Sequence, residues 1–249
     1  MLKITNLEFS VLKNTKLEKK ILNGLDLTAK TGEFLVIIGG NGAGKSTLFN
    51  VLSGFCFSDS GSISLDANDI TTLEQNKRSK LVSIVMQDPK VSSMENMTIL
   101  ENMALAFCRS KKRSLRPFNN SNRRELFKQN LSQLNMGLEN RLDELVSNLS
   151  GGQRQALSLC MALLGEAKLL LLDEICAALD PNMSELVMNL AYSIAKKKNL
   201  STIMITHNME HALRFADRLL VLSAGKVTKE FSKQELVHIK PQDLSLCIS

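Results

Sequence analysis

The stretch FLVIIGGNGAGKSTLFNVLSG, residues 34–54, decides the fold. It starts with an apolar run of strand length, Phe34 to Ile38, that stops at Gly39. It ends with Ser46–Ser53, which sets Leu48, Val51 and Leu52 on one face of a helix that Gly54 terminates. Between them Gly39–Ser46 fits G-x-x-x-x-G-K-S. Strand, glycine loop and helix in that order form a grip for phosphate. Gly39, Gly40, Asn41, Gly42, Ala43 and Gly44 let the backbone wrap so that its N–H groups point inward, and the helix N-terminus adds partial positive charge. Lys45 reaches the β- and γ-phosphates of a bound nucleotide, the Ser46 hydroxyl suits Mg²⁺, and Thr47 completes the first helical turn against the phosphates.

Further along, KLLLLDE places Asp173 and Glu174 at the carboxyl end of a buried strand, where α/β sheets put their ligands. Asp173 is a candidate for Mg²⁺, directly or through water, and Glu174 for polarising the attacking water. Taken alone, the pair also fits a buried strand followed by a helix-capping carboxylate. Gln87 in VMQDP and His207 in ITHN end two more strand-like runs. A neutral His207 there could touch a γ-phosphate or position the water; an isolated Gln or His at such a place is equally a loop or structural residue.

The remainder reads as an α/β chain of one large domain or two intimate subdomains, 249 residues long with 44% hydrophobic and 22% charged residues. Residues 1–35 alternate as short strands, and GSISLDANDI reads as an edge hairpin. From Asp88 the spacing turns helical, with Leu126, Leu131 and Leu134 closed by Gly137. A helix is expected from Gly152 to Leu164, a strand at Leu169–Leu172, a helix capped by Asp180-Pro181 that buries Leu186, Leu190 and Ile194, and a strand STIMIT ending at His207. Such alternation implies a mostly parallel sheet covered on both faces, with an antiparallel N-terminal β subdomain and an inserted helical subdomain. The expected boundaries are 1–87 and 152–249 for the ATPase core and 88–151 for the helical part.

Composition narrows the partners. One Tyr and no Trp leave few stacking platforms for single-stranded nucleic acid, and no nucleic-acid motif is present. No apolar run approaches the ~20 residues that span a bilayer. Five cysteines without a CxxC pair, and no signal peptide, read as reduced and mostly buried thiols in a cytoplasmic protein. The net charge of +6 is local: Arg109, Lys111, Lys112, Arg113, Arg116, Arg123 and Arg124 fall in one segment. That segment is a solvated loop, or a contact for an anionic membrane surface or an acidic partner.

A second glycine pair lies in NLSGGQRQAL, residues 148–157. LSGGQ, the phosphate loop, Gln87, LLLLDE, AALD at 177–180 and His207 follow one another as in the nucleotide-binding subunit of ATP-binding-cassette transporters, which the chain resembles over nearly its whole length. The resemblance implies an ATPase that uses ATP and Mg²⁺, with Glu174, His207 and Gln87 as catalytic residues and Ser46, Gln87 and Asp173 toward the metal. It implies two copies packed head to tail, each ATP lying between one copy's phosphate loop and the other's Ser150, Gly151, Gly152 and Gln153, with Asp180 in the loop at the dimer interface. It also implies a permease partner and a place on the cytoplasmic face of the membrane. The texture of GGNGAGKSTL, GQRQAL and the basic segment is similar to bacterial uptake systems whose permeases resemble those for branched-chain amino acids, with an extracytoplasmic solute-binding protein. The expected function is import of a small solute such as an amino acid. A soluble ATPase of iron–sulfur cluster assembly is the alternative, and a small-molecule kinase leaves LSGGQ unexplained. Two departures stand out: Ile175 and Cys176 follow Glu174 where the family has Pro-Thr or similar, and the aromatic that stacks on adenine is replaced, Val11 being the favoured candidate over Phe9. No N-K-x-D guanine motif occurs.

Overall fold

The computed structural model describes residues 1–109 and 121–247. Two sheets organise the chain. Strands β1 (Leu2–Val11), β2 (Lys19–Ala29), β4 (Ser60–Leu65) and β5 (Asn68–Asp69) form an antiparallel sheet in the order β2-β1-β4-β5. The second sheet runs β10-β9-β3-β8-β7-β6, from β3 (Phe34–Ile38), β6 (Val82–Val85), β7 (Leu169–Asp173), β8 (Ser201–Ile205), β9 (Arg218–Ser223) and β10 (Lys226–Ser232). It is parallel except where β10 pairs antiparallel with β9. The N-terminal strands are ten and eleven residues long, longer than the sequence pattern implies, because β1 passes through register shifts that absorb its irregular alternation.

The helices are α1 (Lys45–Ser53), α2 (Gln75–Arg78), α3 (Pro89–Ser92), α4 (Ile99–Cys108), α5 (Ser121–Ser132), α6 (Gly151–Leu163), α7 (Pro181–Lys197), α8 (Met209–Phe215), α9 (Lys233–Leu236) and α10 (Pro241–Leu246). Among the described residues, none is long and apolar enough to cross a membrane.

Period-two alternation explains why the parallel strands are apolar throughout. Leu35, Ile37, Leu169, Leu171, Ile203 and Ile205 face one core, shared with α1 and the antiparallel sheet. Val36, Ile38, Leu170, Leu172 and Met204 face a second, covered by α7 and α8. A third core lies among α4, α5 and the turns near Leu138 and Val146, and it takes Ala156, Leu157, Cys160 and Met161 from α6. α6 therefore serves two cores, since its Leu159, Ala162 and Leu163 belong with the second. Arg78, fully buried, joins α1 to the antiparallel sheet by donating to the carbonyls of Val51, Ile70 and Thr71.

Some expectations need correcting. Leu186 is exposed and Leu190 only half-buried; α7 instead buries Val187, Met188, Ala191, Ile194 and Ala195. Tertiary packing sets which face of the helix meets the core, and the leucines fall to its flanks. Only Cys160 of the five cysteines is buried, with its thiol pushed up to about 12 by loss of solvent; Cys108 is exposed and the rest are intermediate. Of the basic segment, Lys111, Lys112, Arg113 and Arg116 lie outside the described residues. Arg124 makes two bonds to Asp143, at 2.9 and 2.6 Å, and the Arg123 guanidinium lies 5.7 Å from the Phe107 ring. These two cations are engaged by their own chain.

Candidate nucleotide site

Strand register assembles the site. In the order β3-β8-β7-β6, Ile37 pairs with Ile205, Asp173 with Ile205, and Leu172 with Val85. The chain leaves these four parallel strands at Gly39, His207, Glu174 and Gln87, so all four features stand along one carboxyl edge.

The phosphate loop winds as its glycines require. Gly42 and Gly44 adopt φ of 78° and 103°, and a Cβ on Gly39 would stand 2.3 Å from the Leu222 carbonyl oxygen. Gly39, Ala43, Gly44 and Lys45 are covered while Asn41, Gly42 and Ser46 face solvent, with Thr47 half-buried behind them. Lys45 is 7% exposed, and its Nζ donates to the carbonyls of Gly39 at 2.6 Å and Gly40 at 3.0 Å. Burial pulls its ammonium below its usual range, against the pull of Glu174 and Asp173. Burial pushes the Asp173 carboxyl up, Glu174 adds to the rise, and Lys45 opposes it. A cation is thus the natural complement of this edge. Among the described residues no cluster of His, Cys, Asp and Glu could hold a metal by itself. The oxygen set of Ser46, Asp173 and Gln87 suits Mg²⁺, which takes one or two protein ligands and completes its shell with phosphate and water.

Glu174 sits in the left-handed region at φ 46°, its N–H donating to the Ile205 carbonyl at 3.0 Å. His207 Nε2 lies 3.0 Å from Glu174 Oε1. The two residues line a cleft of about 540 Å³ with Cys176, Ser184, Thr206 and Asn208. Ile175 is buried in the second core, and Cys176 Sγ lies 3.5 Å from the Ser184 carbonyl. The departure from Pro-Thr leaves this turn closed by packing and by the Asp180 cap, whose carboxylate accepts from Met183 N at 3.0 Å.

A second cleft of about 520 Å³ runs beside the phosphate loop, lined by Lys19, Lys20, Ile21, Asn23 and Gly40–Ala43. Val11, at the end of β1, pairs with Lys19 at its margin and is 37% exposed. Phe9 packs on the first core, with the Lys13 ammonium 5.9 Å from its ring.

The LSGGQ stretch opens α6. Ser150 is the N-cap: its Oγ accepts from Gln153 N at 3.3 Å, and Gln153 Oε1 accepts from Ser150 N at 3.2 Å. Ser150 and Gly151 are exposed, and a Cβ on Gly151 would meet nothing within 4 Å. Gly152 packs so tightly that a Cβ there would stand 2.2 Å from Met183 Cγ. An exposed helix N-terminus with an open approach favours an anion. The structure thus brings Gly39–Thr47, Gln87, Asp173, Glu174 and His207 to one edge, and sets Ser150–Gln153 at the head of a helix beside Arg141 and Met183. Sequence reasoning missed Gln155, buried two residues beyond Gln153, whose amide donates to the Met86 carbonyl at 3.2 Å. The partners stand 69 residues apart, and no local pattern announces such a pair.

The chain has recognisable relatives. Residues 22–177 match the family described as ABC transporter. The chain is similar to a tyrosine transport ATP-binding protein of Clostridioides difficile (strain R20291), 40% identical over 248 residues that cover 98% of this chain and 97% of the relative. It is 33% identical to the thiamine import ATP-binding protein ThiQ of Escherichia coli (strain K12) over 211 residues, 85% of this chain and 86% of the relative. It spans only 58% of the spermidine/putrescine import protein PotA of Haemophilus ducreyi (strain 35000HP / ATCC 700724), at 32% identity over 91% of this chain. Among solved structures it is similar to the dimeric bacterial ABC transporter cassette MJ0796 (TM-score 0.79, 26% identity, 94% of this chain and 99% of that one). It is also similar to cbiO1 from Clostridium perfringens, part of the ABC transporter complex cbiONQ (TM-score 0.81, 26% identity, 98% of this chain and 92% of that one).

Proposed function

The chain belongs to the ABC transporter family, and we propose that within it this ATPase powers import of a small solute, an amino acid such as tyrosine. It binds ATP with Mg²⁺ and hydrolyses it, as the cassettes of the family do. The observation that carries the import reading is the end-to-end correspondence with the tyrosine transport relative, at 40% identity over 98% of the chain. Thiamine and spermidine relatives support uptake as the direction while differing in cargo. The relatives named above give the iron–sulfur reading no support. In this proposal the chain sits on the cytoplasmic face of an integral permease, with an extracytoplasmic solute-binding protein in the same system.

The geometry supports the following division of labour. Lys45 exchanges the carbonyls of Gly39 and Gly40 for β- and γ-phosphate oxygens. Ser46, Asp173 and Gln87 would hold Mg²⁺, which supplies neutralising charge to those oxygens. Glu174 polarises the attacking water. His207 fixes the Glu174 carboxylate across their 3.0 Å contact. A second copy completes the site with Ser150, Gly151 and Gly152 on the γ-phosphate and Gln153 holding their cap, while its Asp180 loop lies in the interface. ATP then joins two copies, and hydrolysis releases them.

Uptake of labelled tyrosine into cells lacking this chain tests the proposal. Restoration by the parent chain and not by Glu174→Gln is expected. Unchanged tyrosine uptake in the deleted cells would overturn the amino-acid reading, and a loss of thiamine uptake instead would redirect it.

A further inference from the structure

Two neighbouring side chains on α6 grip two different parts of the molecule. Arg154 pairs with Glu95, in the loop before α4, and its Nη2 donates to the carbonyls of Val146 at 3.3 Å and Ser147 at 3.5 Å. Gln155, 1% exposed, turns the other way and donates to the carbonyl of Met86 at 3.2 Å, the residue before Gln87. The apolar residues of the helix divide in the same fashion between the third core and the second. Gln155 also lies four residues beyond Gly151, one turn further along the same helix face. A single buried amide therefore ties the loop of Gln87 to the turn beneath the open seat at Ser150 and Gly151.

We infer that Gln155 is a positioning residue for hydrolysis: it couples the loop that carries Gln87 to the head of α6, so that a displacement of one is carried to the other. The inference rests on the composite-site reading above. Only about one helical turn separates the residue that holds the Met86 carbonyl from the Ser150 cap. An apolar side chain in place of Gln155 would leave that carbonyl short of a partner and let helix and loop move apart.

The test is a double-mutant cycle on the purified chain, with Gln155→Met, which keeps the length and removes the donor, and Gln87→Ala. For Gln155→Met alone, a KM for ATP within about two-fold of the parent and a kcat lowered about ten-fold are expected. In the Gln87→Ala background the same substitution should lower kcat by less than about two-fold, because the tied loop already lacks its working side chain. Thermal midpoints of the four proteins, measured in parallel, should show additive losses, which separates coupling from simple damage to packing. Equal loss of kcat in both backgrounds would overturn the inference, as would an unchanged kcat in Gln155→Met. Should that protein fail to fold, Gln155→Asn, one methylene short of the carbonyl, enters the same cycle with the same expected non-additivity. The composite site has its own readout, the ATP-dependent mass of the Glu174→Gln protein, so the two readings fail separately.

Discussion

His207 Nε2 lies 3.0 Å from Glu174 Oε1, across adjacent parallel strands whose register sets Asp173 opposite Ile205. Glu174 holds a left-handed backbone at φ 46°, a conformation that costs an ordinary residue roughly 1–2 kcal/mol. The strand end and the imidazole together fix the carboxylate against that strain. Glu174→Gln should keep ATP binding and lower turnover by roughly 10²–10⁴. His207→Ala should lower kcat by about 10–100-fold alone and add little in the Glu174→Gln background, since the two act as a unit. Near-normal turnover of Glu174→Gln in the presence of the permease would remove it from this role.

The signature glycines differ in what they tolerate. Gly151→Ala meets open space and should leave the thermal midpoint unchanged, yet weaken ATP-dependent dimerisation of the Glu174→Gln protein. Gly152→Ala collides with Met183 and should cost about 1–3 kcal/mol of stability, recovered in part by Met183→Ala. Denaturation midpoints and solution mass with and without ATP distinguish the two.

Ser150→Arg places a bulky cation at the exposed helix cap. In the Glu174→Gln background it should abolish the ATP-driven dimer while nucleotide binding to the monomer persists through Lys45. A dimer of unchanged mass would mean that Ser150 does not serve a partner's phosphate.

Val11 offers an aliphatic face at the margin of the cleft beside the phosphate loop. Val11→Tyr should tighten ATP binding by roughly 2–10-fold, the equivalent of the 0.5–1.5 kcal/mol of an aromatic pair. Equilibrium titration with ATP reads this directly; an unchanged affinity would place the base elsewhere.

Asp217 tests the scaffold behind the site. Its carboxylate accepts from Phe34 N at 2.9 Å and Lys233 Nζ at 3.1 Å and pairs with Lys196. Burial pushes its pKa up, but these bonds outweigh burial and hold the carboxyl below the usual carboxylate range. A carboxylate with a lowered folded-state pKa stabilises fully above its unfolded value and loses that contribution as pH falls through the folded value. Asp217→Asn should therefore cost about 2 kcal/mol at pH 7, a cost that shrinks as the pH is brought down through the lowered folded-state value. A pH-independent difference in denaturant midpoint would contradict this.

What the sequence revealed and what it hid divide by range. The strand before Gly39, the loop to Ser46, the strand ending at Asp173 and the Asp180-Pro181 helix start are local patterns, and each lies where its residues imply. The buried face of α7 was misjudged because the size of Leu186 and Leu190 suggested a core position. Ala191 and Ala195 hold that position instead, a choice of helix face made by tertiary packing. Thiol burial failed for the same reason. Arg78 on Val51 and Ile70, Arg154 on Glu95 and Gln155 on Met86 join residues far apart in the chain, where periodicity carries no information.

The third core, built around α4 and α5 and joined to the rest through α6, has a bearing on how such a chain diversifies. Phe127, Leu131 and Leu138 pack in that core and in neither of the two that flank the parallel sheet. In the proposed transporter, this leaves the part around α4 and α5 open to being refitted to a different permease while the strand edge stays as it is.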